Sequence, residues 1–249
     1  MPEGPYIVIL KELLIDLNLT GKQVVAASGT TTVDLDRIQG QKVSDFKSWG
    51  KNFFICFEDF TIQIHLMLFG TYLINERKKQ LPRLTIEFEA AEINFYSCVV
   101  KIIEEDLSEL YDWSADVMSD DWNAETALSK LQALPNALVC DVLLDQKIFS
   151  GVGNIIKNEV LYQIRVHPLS VVGALPLKKL KEVVQEARIY SFDFLRWKKD
   201  LMLKKKWLAY RKKICLRCDL PILKDNFGKN KRSAYYCVNC QILYTLKDD

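Results

Sequence analysis

Two close pairs of cysteines near the end of the chain, Cys215-x2-Cys218 and Cys237-x2-Cys240, constrain its fold more than any other feature. The 18 residues between the pairs are too few to build a hydrophobic core of their own. Two thiolate pairs at this spacing complete a tetrahedral site, so residues 211–249 are expected to fold around one structural zinc with all four positions filled by protein. A disulfide framework fits less well, because Met1-Pro2-Glu3-Gly4-Pro5 lacks the charged start and apolar stretch of an export signal. Cys56, Cys98 and Cys140 lie in apolar contexts and read as buried thiols.

Charge is unevenly spread. Residues 1–121 carry 11 Lys and Arg against 20 Asp and Glu, net −9, whereas 122–249 carry 23 against 12, net +11. Such asymmetry points to a polyanionic partner for the second half, nucleic acid first. Residues 196–213 hold nine of these cations against one acid, with Trp197, Trp207 and Tyr210 interleaved. Lys224 to Arg232, between the cysteine pairs, reads as a basic hairpin loop suited to phosphates. A face of solvated lysines is the plainer alternative.

Hydrophobic periodicity divides the chain. Ile7, Leu10, Leu13, Leu14 and Leu17 predict a helix from about Pro5 to Leu17. Between about 20 and 105 the period shifts to two: Ile62, Ile64 and Leu66 alternate with Gln63 and His65, and Leu84, Ile86 and Phe88 with Thr85, Glu87 and Glu89. That pattern predicts an antiparallel sandwich or barrel. Eight acids between Glu104 and Asp121 mark a domain edge. Helical spacing then resumes at Leu128, Leu131 and Leu134, at Val139, Val142 and Leu143, and at Val183, Val184 and Ala187.

Two further segments carry chemistry. Phe149 to Glu159 is a glycine turn opening into a helix, whose free N–H groups and Asn154 side chain suit a phosphate, although a simple helix–helix turn has the same pattern. If Met1 is removed, Pro2 becomes a secondary amine with a pKa of about 8, against about 10.4 for lysine. Attack on C1′ of a nucleotide then yields an iminium, an electron sink that expels the base and acidifies C2′. Glu3 beside it is placed to shuttle a proton to the sugar. Taken alone, the pair also reads as a helix lead-in.

In combination these residues resemble the formamidopyrimidine-DNA glycosylase and endonuclease VIII family, closer to the endonuclease VIII branch. Pro2-Glu3-Gly4-Pro5 matches the family's catalytic N-terminus, and Gly50-Lys51 its phosphate-contacting lysine. Leu144-Asp145-Gln146-Lys147 through Gly151-Val152-Gly153-Asn154-Ile155 resembles its helix–two-turn–helix, and Arg232 stands where its finger arginine enters DNA. His65-Leu66-Met67-Leu68-Phe69-Gly70 aligns with the loop that fills the gap left by an extruded base, though on pattern alone a Met-Leu-Phe run also suits a core.

The resemblance implies an α+β architecture. A catalytic N-terminal helix and antiparallel β-sandwich occupy 1–112, a linker 113–121, a helix–two-turn–helix domain 122–210 and a zinc finger 211–249. It further implies a bifunctional glycosylase and abasic-site lyase of base excision repair, acting as a monomer on DNA with damaged bases, oxidised pyrimidines the expected targets, or with abasic sites. Pro2, Glu3 and Lys51 are the implied catalytic residues. Met67, Leu68, Phe69, Lys147, Asn154 and Arg232 are the implied DNA contacts. A cytoplasmic, nucleoid-associated location without membrane partners is expected. Two departures stand out: Tyr6 replaces the family's glutamate after the second proline, and residues 200–214 do not match the loop that caps an oxidised purine. A lesion-binding protein without glycosylase activity and a zinc-finger transcriptional regulator are the rival readings.

Overall fold

Ile7, Leu10 and Leu14 form one fully buried stripe, which winds the start of the chain into α1 (Gly4–Asp16). Pro5 sits in the first turn, where a missing backbone donor costs nothing. The computed structural model describes residues 2–246, and the chain divides after Tyr111 into two units. No helix among the described residues is long and apolar enough to cross a membrane.

In the first unit α1 packs on β2 (Asp45–Trp49) and β3 (Asn52–Cys56). These strands follow β1 (Ala26–Ser28) and precede β4 (Thr61–Ile74), β5 (Leu84–Glu87) and β6 (Glu92–Ile103), with a one-turn helix α2 (Leu107–Leu110) closing the unit. The strands make one antiparallel sheet in the order β1-β5-β6-β4-β3-β2. Phe53 pairs with Ile64 beside Val100, whereas Phe95 lies near the far end of β6, yet the Phe53 and Phe95 rings stand 6.2 Å apart. The sheet therefore folds over on itself, and one continuous set of strands supplies both layers of the expected sandwich. Ile62, Ile64, Leu66, Leu84, Ile86 and Phe88 all join its core, as the alternation requires. Thr85 is the exception: it is buried too, and its hydroxyl is satisfied by Asn94 Oδ1 at 2.6 Å.

The second unit is built around α5 (Asn154–Gln163), of which residues 154 to 162 are all buried. Around it lie α3 (Ala124–Gln132), the single turn α4 (Val139–Val142), the long α6 (Leu177–Lys199) and the single turn α7 (Leu203–Lys206). A hairpin of β7 (Leu223–Phe227) and β8 (Arg232–Tyr236) follows, and β8 packs on α5. Two differences from the expected boundaries appear here. Ala115 and Val117, inside the expected linker, are buried, and Val117 belongs to the apolar core of this unit. The cysteine-rich segment is likewise stitched to the helices through backbone bonds between His167 and Ile242 and between Val171 and Tyr244, so helices and finger form one unit.

Candidate functional site

In the first unit, the candidate residues stand where regular structure breaks. Pro2 and Glu3 are buried ahead of α1, and Glu3 is extended, with a side chain that does not cap the helix. One turn on, Tyr6 packs its ring, tilted, 5.2 Å from Tyr72 and brings its hydroxyl 3.4 Å from Thr71 Oγ1. Thr71 is where β4 resumes its pairing with β6 after a break: Leu66 pairs with Cys98 and Thr71 with Tyr96, so Met67 to Gly70 bulge out opposite Ser97 alone. Met67, Leu68 and Phe69 are 49%, 50% and 83% exposed. This disposes of the core reading of the run, and it places the trio on a bulge within one long strand rather than on a turn between two. Gly70 closes the bulge so tightly that a Cβ there would meet the backbone of Met67 and Ser97 at 2.7 and 2.8 Å.

Lys51 occupies the two-residue turn joining β2 to β3. Its neighbour Asn52 pairs with His65, and Asn52 Oδ1 accepts from Gln63 Nε2 at 2.9 Å and lies 3.0 Å from His65 Nδ1. Burial, and then the Lys51 ammonium, lower the His65 pKa, so this imidazole is neutral at pH 7 and serves as a polar strut. The sequence thus brings α1's first turn, the apolar bulge and the lysine turn to one end of the sheet, through Tyr6 to Thr71 and through Asn52 to His65.

In the second unit, Gln146 holds the two turns before α5. Its Nε2 donates to the carbonyls of Leu144 and Val152 at 2.8 and 3.1 Å, and its Oε1 accepts from Gly151 N–H at 3.1 Å. Lys147 is exposed on these turns. Asn154 opens α5 but is only 3% exposed: its Nδ2 donates to Ser233 Oγ at 3.2 Å, and its Oδ1 accepts from the buried Lys157 Nζ at 2.8 Å. Lys157 and Asn158 both donate to the Ser233 carbonyl, while Asn158 Oδ1 accepts from Tyr235 N–H at 2.7 Å. Arg232, half-buried, directly precedes this ring of bonds. Glu159, fully buried, accepts from the N–H groups of Leu208, Ala209 and Tyr210.

None of Gln146, Lys157, Asn158, Glu159 or Ser233 was legible as a functional partner from motif spacing. The usable signal is that four polar residues, 154, 157, 158 and 159, fall within one turn and a half of a helix among Ile155, Ile156, Val160 and Leu161, which marks polar groups turned inward toward partners. The aromatic residues of 196–213 pack inward. Trp207 packs on Tyr210 and Tyr210 on Tyr235, at 5.0 and 5.1 Å, and Trp197 packs on Tyr190. Tyr210 belongs to the core of this unit, and the half-buried Trp197 and Trp207 pack against it.

The four terminal cysteines converge. Their sulfurs lie within 4.8 Å of one another, with Cys215 to Cys240 at 3.8 Å and Cys218 to Cys237 at 3.5 Å. Four metal–sulfur bonds of about 2.3 Å in a tetrahedron set the sulfurs about 3.8 Å apart, so this donor set fits a soft dication. Burial opposes ionisation of Cys215, but hydrogen bonds, that with Tyr162 first, bring its pKa to about 6. Burial and the neighbouring thiols push Cys240 up to about 12. Four thiolates this close can all ionise only around a cation.

Comparison with known proteins agrees with this geometry. The family profile of the formamidopyrimidine-DNA glycosylase H2TH domain matches residues 114–190. The chain is 30% identical over 222 residues to the DNA-(apurinic or apyrimidinic site) lyase Nei2 of Mycolicibacterium smegmatis, covering 84% of this chain and 85% of that one. It is 31% identical over 211 residues to mouse endonuclease 8-like 3, covering 81% of this chain but only 35% of that protein. The chain therefore spans about a third of the length of this relative. Among solved structures, Lactococcus lactis formamidopyrimidine-DNA glycosylase bound non-covalently to abasic-site DNA superposes with a TM-score of 0.84 at 18% identity, over 96% of this chain and 99% of that one.

Proposed function

The chain belongs to the formamidopyrimidine-DNA glycosylase and endonuclease VIII family, in its endonuclease VIII branch, and from that premise we propose that it is a bifunctional DNA glycosylase and abasic-site lyase of base excision repair. One observation carries the reading: through Tyr6, the turn that bears Pro2 and Glu3 is tied to Thr71, at the foot of an exposed apolar bulge. A nucleophile and a wedge at one end of one unit are what attack on a flipped nucleotide requires.

In this reading the Pro2 nitrogen, freed of Met1, attacks C1′, and the C1′–base bond breaks as Glu3 passes a proton toward the opening sugar. Met1 itself lies outside the described residues. The iminium then gives up a C2′ proton, and the 3′ phosphate leaves by β-elimination. Met67, Leu68 and Phe69 fill the space left in the duplex. Lys51, Lys147, Asn154 and Arg232 hold phosphates, Asn154 through an amide nitrogen with two hydrogens, one of which serves Ser233. Cys215, Cys218, Cys237 and Cys240 would hold one zinc, which supplies folding energy to the finger and takes no part in the chemistry. Oxidised pyrimidines are the proposed bases, and damaged DNA in the nucleoid the partner of a monomeric enzyme.

Borohydride added during reaction with a duplex containing an abasic site tests this. The expected result is a covalent protein–DNA complex whose crosslink maps to residue 2, and no complex from protein that retains Met1, whose Pro2 nitrogen is an unreactive amide. A crosslink on Lys51 or another lysine, with the N-terminus free, overturns the assignment. Tyr6 favours a second reading, a lesion-binding protein without excision, because its side chain is spent on Thr71 and Tyr72 where relatives are expected to place a carboxylate. Tight abasic-site binding with no trapped complex supports that reading instead.

A further inference from the structure

The hairpin that carries Arg232 is gripped at two places within its own unit. On one side of Arg232, Ser233 and Tyr235 are held by Asn154, Lys157 and Asn158 of α5. On the other side, at the tip, the Asp141 carboxylate of α4 accepts from Lys229 N–H, at 3.0 Å through Oδ1 and 3.2 Å through Oδ2. The tip is shaped to receive that carboxylate. Gly228 has φ +76, which L side chains rarely adopt, and a Cβ on it would run into the Asp141 carboxylate. Phe227, which pairs with Arg232 across the hairpin mouth, is packed against Tyr236 and His167.

From this arrangement we infer that Asp141 is a positioning residue for DNA binding: it pins the hairpin tip to the helix–two-turn–helix so that Arg232 is presented in one place. The inference rests on the proposed DNA-binding role of Arg232. An acid beside a basic tip of Lys229, Lys231 and Arg232 opposes DNA electrostatically, so its presence needs a reason other than attraction. A flexible tip spends ordering entropy each time Arg232 meets a phosphate, whereas a tip held in advance does not. An anchored backbone N–H supplies that hold without using any of the cations themselves.

The test is binding to a duplex carrying a tetrahydrofuran abasic analogue, measured over a range of salt concentrations for the parent, Asp141→Ala, Asp141→Asn, Arg232→Ala and the Asp141→Ala/Arg232→Ala double variant. Metal content and melting temperature check that each variant is folded. If Arg232 contacts one phosphate, Arg232→Ala lowers the slope of log K against log salt by about 0.9. Asp141→Ala is then expected to weaken binding about tenfold and to lower the slope by the same amount, and the double variant to be no worse than Arg232→Ala. Asp141→Asn keeps an acceptor for Lys229 N–H and is expected to retain the parent slope. Gly228→Ala is expected to behave as Asp141→Ala does. Additive losses in the double variant, an unchanged slope in Asp141→Ala, or tighter binding from simple removal of a negative charge would each overturn the inference. Absence of any effect of Arg232→Ala would instead remove the DNA-binding reading on which it rests.

Discussion

The two units reach their candidate residues by opposite means. In residues 2–111 an apolar sheet is nearly complete, and the groups that matter appear where it is interrupted: the lead-in to α1, the two-residue turn at Lys51 and the bulge from Met67 to Gly70. Their positions follow from strand register and from where it is interrupted. In residues 112–246 the candidate groups are held by polar bonds and thiols that cross from one element to another, Asn154, Lys157 and Asn158 to Ser233 and Tyr235, Asp141 to Lys229, and four cysteines to a common centre. Regular packing can leave a short apolar segment exposed at little cost, but it cannot aim a cation. Aiming needs directional bonds, and these are worth most when buried. In the proposed reading the first unit accordingly serves chemistry and wedging, with Lys51 as its phosphate contact, and the second supplies the other phosphate contacts.

Three experiments sharpen or break that division. The largest effect is expected from Glu3→Gln, which removes the proton shuttle but not the amine. Base excision should fall roughly 10²- to 10⁴-fold while cleavage of a preformed abasic site and DNA affinity stay near the parent. A loss confined to affinity would mean that Glu3 serves DNA binding and not proton transfer. Next in size is Cys237→Ser, or removal of metal by chelation. With only three thiolates the finger loses its folding energy, so DNA affinity should fall on the order of 10- to 100-fold, and the salt slope should drop by more than about one. Turnover at saturating DNA should change far less, and melting of the first unit should be unaltered. If turnover collapses at full saturation, the metal segment takes part in chemistry and the comparison fails. Smallest is Leu68→Ala, expected to slow excision from duplex DNA by about tenfold and to spare cleavage of a single-stranded abasic site, where no stack needs filling. Equal losses on both substrates would return the trio to a structural role.

Much of this is legible in the sequence. Periodicity located α1 to within a residue at each end and identified the buried faces of β4 and β5, because burial imposes its period directly on the residues that suffer it. Cysteine spacing located the cluster of four thiols that could hold a metal, because four ligands around one small ion leave little freedom in sequence. Motif order pointed to the family. The run from Met67 to Phe69, by contrast, was ambiguous, since core and exposed wedge demand the same residue types. Only the four-against-one register opposite Ser97 showed it to be a bulge. The aromatics among the cations of 196–213 pack on Tyr190, on Tyr235 and on one another, partners that the sequence does not state.

The sequence by itself determined α1, the alternating faces of β4 and β5, the family and the cluster of four thiols, because each of these is a local pattern or a spacing. The tertiary structure alone decided which polar residues serve which, Glu159 for Leu208 to Tyr210, Gln146 for its two turns, Asp141 for the tip at Lys229. A buried carboxylate or amide must find a donor or acceptor somewhere, but the chain states only that need. Which group answers it depends on what packing brings within about 3 Å, often many tens of residues away.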